Sequence, residues 1–263
     1  MARHDSVDSS RRALLGALGV MIFSAVLRLA RAQAQATSGA KMPIGIVGSG
    51  HIGGTVGSLW IKAGHPVLFS SRHPEQLKDM IADLGALARA GTVEEAIDFG
   101  EAVFIAVPYG ALPQIGQDYG KALAGKVVLD ACNAVASRDG AIAEEAERDG
   151  IGITSQKYLR GARVVRAFNT LNYMILSREA NRPDPRLAIP IAGDDQEAVR
   201  IAAGLVRDAG FDPVEVGRLA DARRFQGSRL CSTLPSDSAS RCGPGYGQAV
   251  TAAELRRILS LAP

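Results

Sequence analysis

The chain has 263 residues, 47% of them hydrophobic and 22% charged, with 30 lysines and arginines against 27 acidic residues. That is enough apolar material for one large α/β domain, preferred here over two small ones. Five of the 30 basic and two of the 27 acidic residues precede residue 37, leaving 25 of each, so the remaining chain is neutral and lacks the electrostatic footprint of a nucleic-acid binder.

Residues 1–36 read as a twin-arginine signal peptide. Arg11-Arg12 follows Ser9-Ser10, the apolar run Ala13 to Leu27 comes next, and Ala30-Arg-Ala-Gln-Ala-Gln-Ala36 offers small-residue cleavage sites near Ala32, Ala34 or Ala36. Fifteen apolar residues are short for a bilayer crossing. The expectation is a periplasmic protein with no stable membrane span after cleavage; the alternative is an uncleaved anchor.

Ile44 to Val47 has the length of a buried strand, and after Gly48 the residues Ile52, Val56, Leu59 and Trp60 recur at helical spacing. Between them lies Gly48-Ser49-Gly50-His51-Ile52-Gly53. The first glycine permits a tight turn, the second admits a pyrophosphate to the backbone, and the third lets helix and strand pack closely. Gly64-His65 ends the helix and Pro66 to Phe69 gives a second strand, which completes a βαβ unit of the size that binds dinucleotides. Where an NAD site would offer a carboxylate to the adenosine ribose, this chain has Ser70, Ser71 and Arg72. Two hydroxyls and a guanidinium accept a 2′-phosphate, so NADP is the expected cofactor.

Further along, Pro74 opens a helix to about Leu84, Leu87 to Ala90 is a short strand, and Thr92-x-x-Glu95 is a capping box. A strand over Ala102 to Val107 stops at Pro108-Tyr109-Gly110, a helix runs to about Tyr119, and Val127 to Asp130 leads into Ala131-Cys132-Asn133. Parallel strands put their carboxyl ends on one edge, so Val107, Pro108, Tyr109 and Asn133 are expected beside the glycine turn, where the nicotinamide and its partner would meet. A helix over Ala143 to Arg148, a strand from Val164 ending at Phe168-Asn169-Thr170, and a helix from Leu171 to Arg178 follow. Then come a strand at Leu187 to Ala192, a helix from Gly193-Asp194-Asp195 to Asp208, a last strand Phe211 to Val216 and a helical stretch Gly217 to Gln226. Gly227 to Gly247 is rich in serine, proline and glycine, and Thr251-x-x-Glu254 caps a terminal helix to Leu261. The fold class is thus α/β: a doubly wound, mostly parallel Rossmann-type sheet with a short irregular C-terminal extension. It divides into a leader (1–36), an NADP-binding domain (37–226) and a tail with its helix (227–263).

Cys231 and Cys242 share a flexible segment and are expected to pair after export, whereas Cys132 reads as an inert buried thiol. Acid–base chemistry is poorly represented. His4, His51, His65 and His73 lie in the leader or in turns, and no tyrosine has a lysine four residues later. Neither a metal-ligand spacing nor a nucleophile elbow is present.

The segments Gly48-Ser-Gly-His-Ile-Gly53, Ser70-Ser-Arg72, Ala106-Val-Pro108, Asp130-Ala-Cys-Asn133, Ala167-Phe-Asn-Thr170 and Gly193-Asp-Asp195 together resemble the NADP reductases dependent on 8-hydroxy-5-deazaflavin. The resemblance runs from Pro43 to about Gln226. It implies that the glycine turn and the Ser-Arg pair hold NADP, that the Val-Pro turn flanks the nicotinamide, and that the strand ends near Asn133 and Asn169 frame the deazaflavin. Hydride then passes directly between two cofactors, which needs positioning more than acid–base groups. Because an export leader sits awkwardly with an intracellular deazaflavin, a flavin or quinone-like acceptor is equally in view. A homodimer is possible, and a non-catalytic NADP-binding or sensor module is the alternative of a different class.

Overall fold

The computed structural model describes residues 41–226 and 249–260. The leader, the Ser/Pro/Gly-rich stretch and the expected Cys231 to Cys242 bridge lie outside the described residues.

An eight-stranded sheet in the order β3-β2-β1-β4-β5-β6-β7-β8 carries helices on both faces. Its first strands are β1 (Ile44–Val47), β2 (Val67–Ser70), β3 (Ala88–Gly91) and β4 (Ala102–Ile105), followed by β5 (Val127–Asp130), β6 (Arg163–Arg166), β7 (Ala188–Gly193) and β8 (Asp212–Gly217). Strands β1 to β6 are parallel, as the alternation of strand and helix requires, and their carboxyl ends share one edge.

One face is covered by α1 (His51–Lys62), α2 (Lys78–Leu84), α8 (Tyr173–Glu179) and α9 (Gln196–Asp208). The other carries α3 (Val93–Phe99), α4 (Leu112–Leu123), α6 (Ala141–Asp149), α7 (Ile151–Tyr158) and α10 (Ala252–Ile258), with the 3₁₀ segment Leu219–Phe225. A one-turn helix, α5 (Ala136–Asp139), precedes α6. The alternation of strand side chains sets the two cores: Ile44 and Ile46 face α1, while Val47 faces the opposite layer. On the α1 face Trp60, Phe104, Phe168 and Phe211 meet edge to face, with ring centroids 5.2–6.5 Å apart. The Trp60 indole N–H donates to the Leu205 carbonyl at 2.8 Å, so α1 and α9 are locked to each other as well as to the sheet. Each such fully buried side chain contributes about 1.5–3 kcal/mol.

Several boundaries differ from the sequence reading. Strand β4 ends at Ile105, which leaves Ala106 and Val107 to form the turn, and α4 runs on to Leu123. Of the stretch read as helical from Gly217 to Gln226, Gly217 ends β8 and Leu219–Phe225 is 3₁₀ rather than α. Helix α7 was not anticipated because Gly150-Ile-Gly152 reads as a break. Gly150 does take φ 100°, and a Cβ on Gly152 would stand 2.4 Å from the Leu219 carbonyl oxygen, so this second glycine admits the 3₁₀ segment against the helix.

Strand β7 runs antiparallel to β6, with Val165 opposite Gly193 and Arg166 opposite Ala192, and β8 then lies parallel to β7. The reason lies in the connection. Helix α8 has seven residues, about 10 Å of rise. It leaves the chain at the edge where β6 ended instead of carrying it back for a parallel return.

At the far end α10 packs onto β7 and β8 through Leu255 and Leu259, capped by Thr251 and Glu254 as the sequence predicts.

Candidate functional site

The cradle is built by three glycines in different conditions. Gly48 has φ 98°, and a Cβ there would approach the Ala106 carbonyl oxygen to 2.5 Å. A Cβ on Gly53 would stand 1.9 Å from the Gly48 carbonyl oxygen, so only glycine lets α1 start this close to the turn. Around Gly50 no atom of the described residues comes within 4 Å of a Cβ, which leaves open space in front of the helix. No side chain caps α1, and its first turn holds no acidic residue. Its leading N–H groups and the positive end of its dipole therefore suit an anion, and the cradle fits a pyrophosphate.

The second strand end is tied to this turn, for the Ser49 hydroxyl donates to the Ser70 carbonyl oxygen at 2.8 Å. The Ser70 side chain is buried and its hydroxyl has no hydrogen-bond partner among the described residues, so of the three expected phosphate-reading residues only Ser71 and Arg72 are accessible. The Ser71 hydroxyl oxygen accepts from the His73 amide at 3.0 Å, shaping the turn that presents Arg72. Arg72 is exposed and has no ion-pair partner among the described residues. His65, by contrast, is structural: it is buried, between the Met42 carbonyl at 2.8 Å and Asp208 at 2.9 Å. Ile52 packs against the α1-face core.

His51 stands at the first position of α1 and lies flat on Tyr173, the first residue of α8, with ring centroids 4.2 Å apart and planes inclined 13°. Tyr173 was not among the expected site residues, since no sequence spacing links it to the glycine turn.

At the neighbouring strand end Val107 lies against Gly48 and Pro108 is exposed. Tyr109 turns inward. Its side chain is fully buried, with the hydroxyl donating to the Ile151 carbonyl at 2.8 Å and lying 3.1 Å from Ser155 Oγ. Only its backbone takes part in the turn. Burial first, and then the Asp130 charge, push this phenol far above its ordinary range, so it keeps its proton at neutral pH. Burial and Asp130 also raise the Cys132 thiol, which is free and 2% exposed.

Two polar connections hold the edge together. The Asp139 carboxylate accepts from the amides of Gly110 at 3.1 Å and Val135 at 2.8 Å, joining the turn after β4 to the loop after β5. Desolvation works to raise this carboxyl, but hydrogen bonds from Arg138 and the two amides outweigh it and hold it below its ordinary value. Arg138 also donates to the Asn133 carbonyl at 2.7 Å. Asn133 in turn donates through Nδ2 to the Asn169 carbonyl at 2.7 Å, and Asn169 Nδ2 reaches the Phe225 carbonyl at 3.3 Å. Phe168, at φ 61°, is the bend that buries its own ring in the α1-face core while leaving Asn169 beside Asn133. Such a conformation in a non-glycine residue costs about 1–3 kcal/mol, offset here by the aromatic cluster.

Behind the loop, Arg166 Nη1 lies 2.5 Å from Asp130 Oδ2, and both side chains are fully buried. The contact is a close charge pair rather than an aligned hydrogen bond, since these atoms lack hydrogen-bond partners by direction. Asp130 Oδ1 accepts from the Cys132 amide at 2.9 Å, so the pair anchors the turn that leads to Asn133. A charged residue ending each of two adjacent apolar strands was the available signal for this pair.

Among the described residues no group of three or more histidine, cysteine or acidic side chains could hold a metal, and no helix is long and apolar enough to cross a membrane.

Residues 43–134, from β1 to the Asn133 loop, match the family model described as NADP oxidoreductase, coenzyme F420-dependent. The rat metalloreductase STEAP3 is 29% identical over 200 residues, which cover 73% of this chain; the chain spans 37% of that relative's length. Among solved structures, a candidate F420 dependent NADP-reductase from Arthrobacter sp. FB24 superposes with a TM-score of 0.61 at 21% identity, over 70% of this chain and 88% of its own. A hypothetical protein from Sinorhizobium meliloti gives 0.59 at 27% identity, over 73% and 93%.

Proposed function

Since residues 43–134 match the family model described as NADP oxidoreductase, coenzyme F420-dependent, we propose that this protein passes hydride between the nicotinamide of NADP and a deazaflavin, flavin or quinone-like acceptor. The observation that carries the reading is the cradle itself: an uncapped helix N-terminus with open space at Gly50, tied by Ser49 to the strand end that presents Ser71 and Arg72. When bound, the nicotinamide supplies two electrons and a proton as hydride.

The chain's own residues bind and orient. Gly48, Gly50 and Gly53 admit the pyrophosphate to the backbone, Ser71 and Arg72 take the 2′-phosphate, and His51 on Tyr173 walls the mouth of the cleft. The Val107-Pro108 turn, and Asn133 held by Asn169, fix the edge where the two rings meet. None of these has to move a proton, which agrees with an edge whose buried phenol and thiol are both held protonated. Steady-state oxidation of NADPH with menadione, riboflavin and a deazaflavin tests the reading. Turnover with at least one acceptor is expected; saturable NADPH binding without turnover on any would leave a non-catalytic module.

Export by the twin-arginine route is a second proposal, resting on Arg11-Arg12, the apolar run and the alanine series. Replacing both arginines with lysine should trap the precursor inside the cell. Finding the unaltered protein in the cytoplasm with its leader intact would end the proposal.

A further inference from the structure

Strands β4 and β5 end side by side, with Ile105 opposite Asp130, and the last backbone hydrogen bond between them among the described residues runs from the Ala131 amide to the Ile105 carbonyl at 3.0 Å. Beyond it both chains leave the sheet, one as the turn from Val107 to Gly110 and the other as the loop from Asn133 to Val135. No ladder sets the separation of these two segments. Hydride transfer is sensitive to that separation, because reacting atoms must meet at about 3–3.5 Å and a misplacement of about 1 Å can cost about a hundredfold in rate.

One carboxylate spans the gap. Asp139 follows an exposed run from Val135 to Arg138, yet its own side chain is 1% exposed. Its Oδ1 accepts from the Gly110 amide at 3.1 Å and from Arg138 Nε at 3.0 Å. Its Oδ2 accepts from the Val135 amide and from Arg138 Nη2, both at 2.8 Å. A carboxylate offers about four lone-pair sites, and here two backbone and two guanidinium donors take them up. A Cβ on Gly110 would stand 3.3 Å from Oδ1, so the backbone of the turn lies directly against the carboxylate. Arg138 extends the clasp, since Nη2 also donates to the Asn133 carbonyl at 2.7 Å. Gly110, Val135 and Arg138 belong to neither hydrophobic core. The turn is rooted in the fold by Tyr109, on Ile151 and Ser155, so the clasp acts on the placing of the loops rather than on the cores.

We propose that Asp139 is a positioning residue: it holds the turn after β4 and the loop after β5 at the separation that orients the nicotinamide towards its acceptor. The inference rests on the reading above that this edge presents the nicotinamide. Asp139 exchanges no proton and no electron in the transfer; it acts through the two amides and through Arg138.

Asp139→Ala removes the bonds to both amides, and Asp139→Asn keeps the shape but turns one oxygen into a donor that cannot accept from an amide. In the full-length protein, hydrogen exchange at the Gly110 and Val135 amides should quicken about ten- to a hundredfold in Asp139→Ala, the scale of a lost charge-assisted hydrogen bond. The Kd and KM for NADPH should stay within about threefold, because the phosphates bind at the glycine cradle. With menadione as acceptor, kcat should fall about ten- to a hundredfold in Asp139→Ala and less in Asp139→Asn. Without any acceptor, the nicotinamide emission of bound NADPH should fall towards that of the free dinucleotide in both variants, since the ring is no longer held. Should Asp139→Ala fail to fold, Asp139→Asn carries the same comparison with a smaller effect. Unchanged kcat and unchanged emission, or a fall in kcat matched by an equal loss of NADPH affinity, would overturn the inference. An unaltered protein that binds NADPH but reduces no acceptor loses the function proposed above, while the emission still decides the role of Asp139. One that does not bind NADPH loses both.

Discussion

The Ser49 hydroxyl donates to the Ser70 carbonyl oxygen at 2.8 Å, and this bond sets the distance between the pyrophosphate cradle and the residues that would read the ribose. Ser49→Ala removes a neutral hydrogen bond worth about 0.5–1.5 kcal/mol. Calorimetry should show NADP affinity reduced about two- to tenfold, with NAD affected less, because the displaced end carries Arg72. Unchanged NADP affinity would mean that the two segments hold their places independently.

Gly50 and Gly53 should separate binding from folding. Nothing among the described residues meets a side chain at Gly50, so Gly50→Val should leave the melting temperature within about 2 °C while weakening NADP and NAD alike. Gly53→Ala forces a Cβ onto the Gly48 carbonyl, and overpacking of about 1–3 kcal/mol should lower the melting temperature by about 2–12 °C. Thermal melts of both variants without cofactor test the contrast. A destabilised Gly50→Val would show that its open face is used by the fold.

The Asp130 and Arg166 pair should behave as a unit. Arg166→Met leaves a carboxylate buried without its counter-charge, and urea denaturation should register a loss of about 3–5 kcal/mol. The double change Asp130→Leu with Arg166→Met should recover much of that loss, giving a large coupling in the mutant cycle. Additive losses would mean that the two charges do not rely on one another.

Asp195 caps α9 by accepting from the Ala198 amide at 2.8 Å, and it also receives Arg163 at 2.6 Å. The Arg163 hydrogen bond, followed by the amide, lowers its carboxyl from the ordinary 3.8 to about 2. A folded-state value below the unfolded one gives stability that is complete above pH 4 and is lost as the pH falls towards 2. Urea midpoints should therefore drop more steeply across that window for the unaltered protein than for Asp195→Asn, which can still cap but cannot ionise. The difference should shrink in high salt, because the carboxylate is partly exposed. Parallel curves would remove Asp195 from the acid response.

Much of this was legible in the chain because it is local. The first βαβ unit, the capping boxes at Thr92 and Thr251, and the spacing of the three glycines follow from neighbouring residues. The direction of β7 was not, because an apolar run reads the same both ways and only the length of α8 decides. Nor was the inward turn of Tyr109, whose partners Ile151 and Ser155 lie on a helix hidden behind two glycines. Arg138 and Asp139 carry no motif in the sequence, yet their contacts tie two loops of the site together. The stack of His51 on Tyr173 joins elements that meet only once the sheet is assembled.

Arg72 offers the most direct test of an NADP-dependent oxidoreductase. Titration calorimetry should be run with NADPH and NADH on the unaltered protein and on Arg72→Ala. The unaltered protein should prefer NADPH. The substitution removes a charge-assisted contact of about 1.5–3 kcal/mol and should weaken NADPH about ten- to a hundredfold while hardly moving NADH. Equal affinity for the two cofactors before the substitution, or equal losses after it, would contradict the assignment.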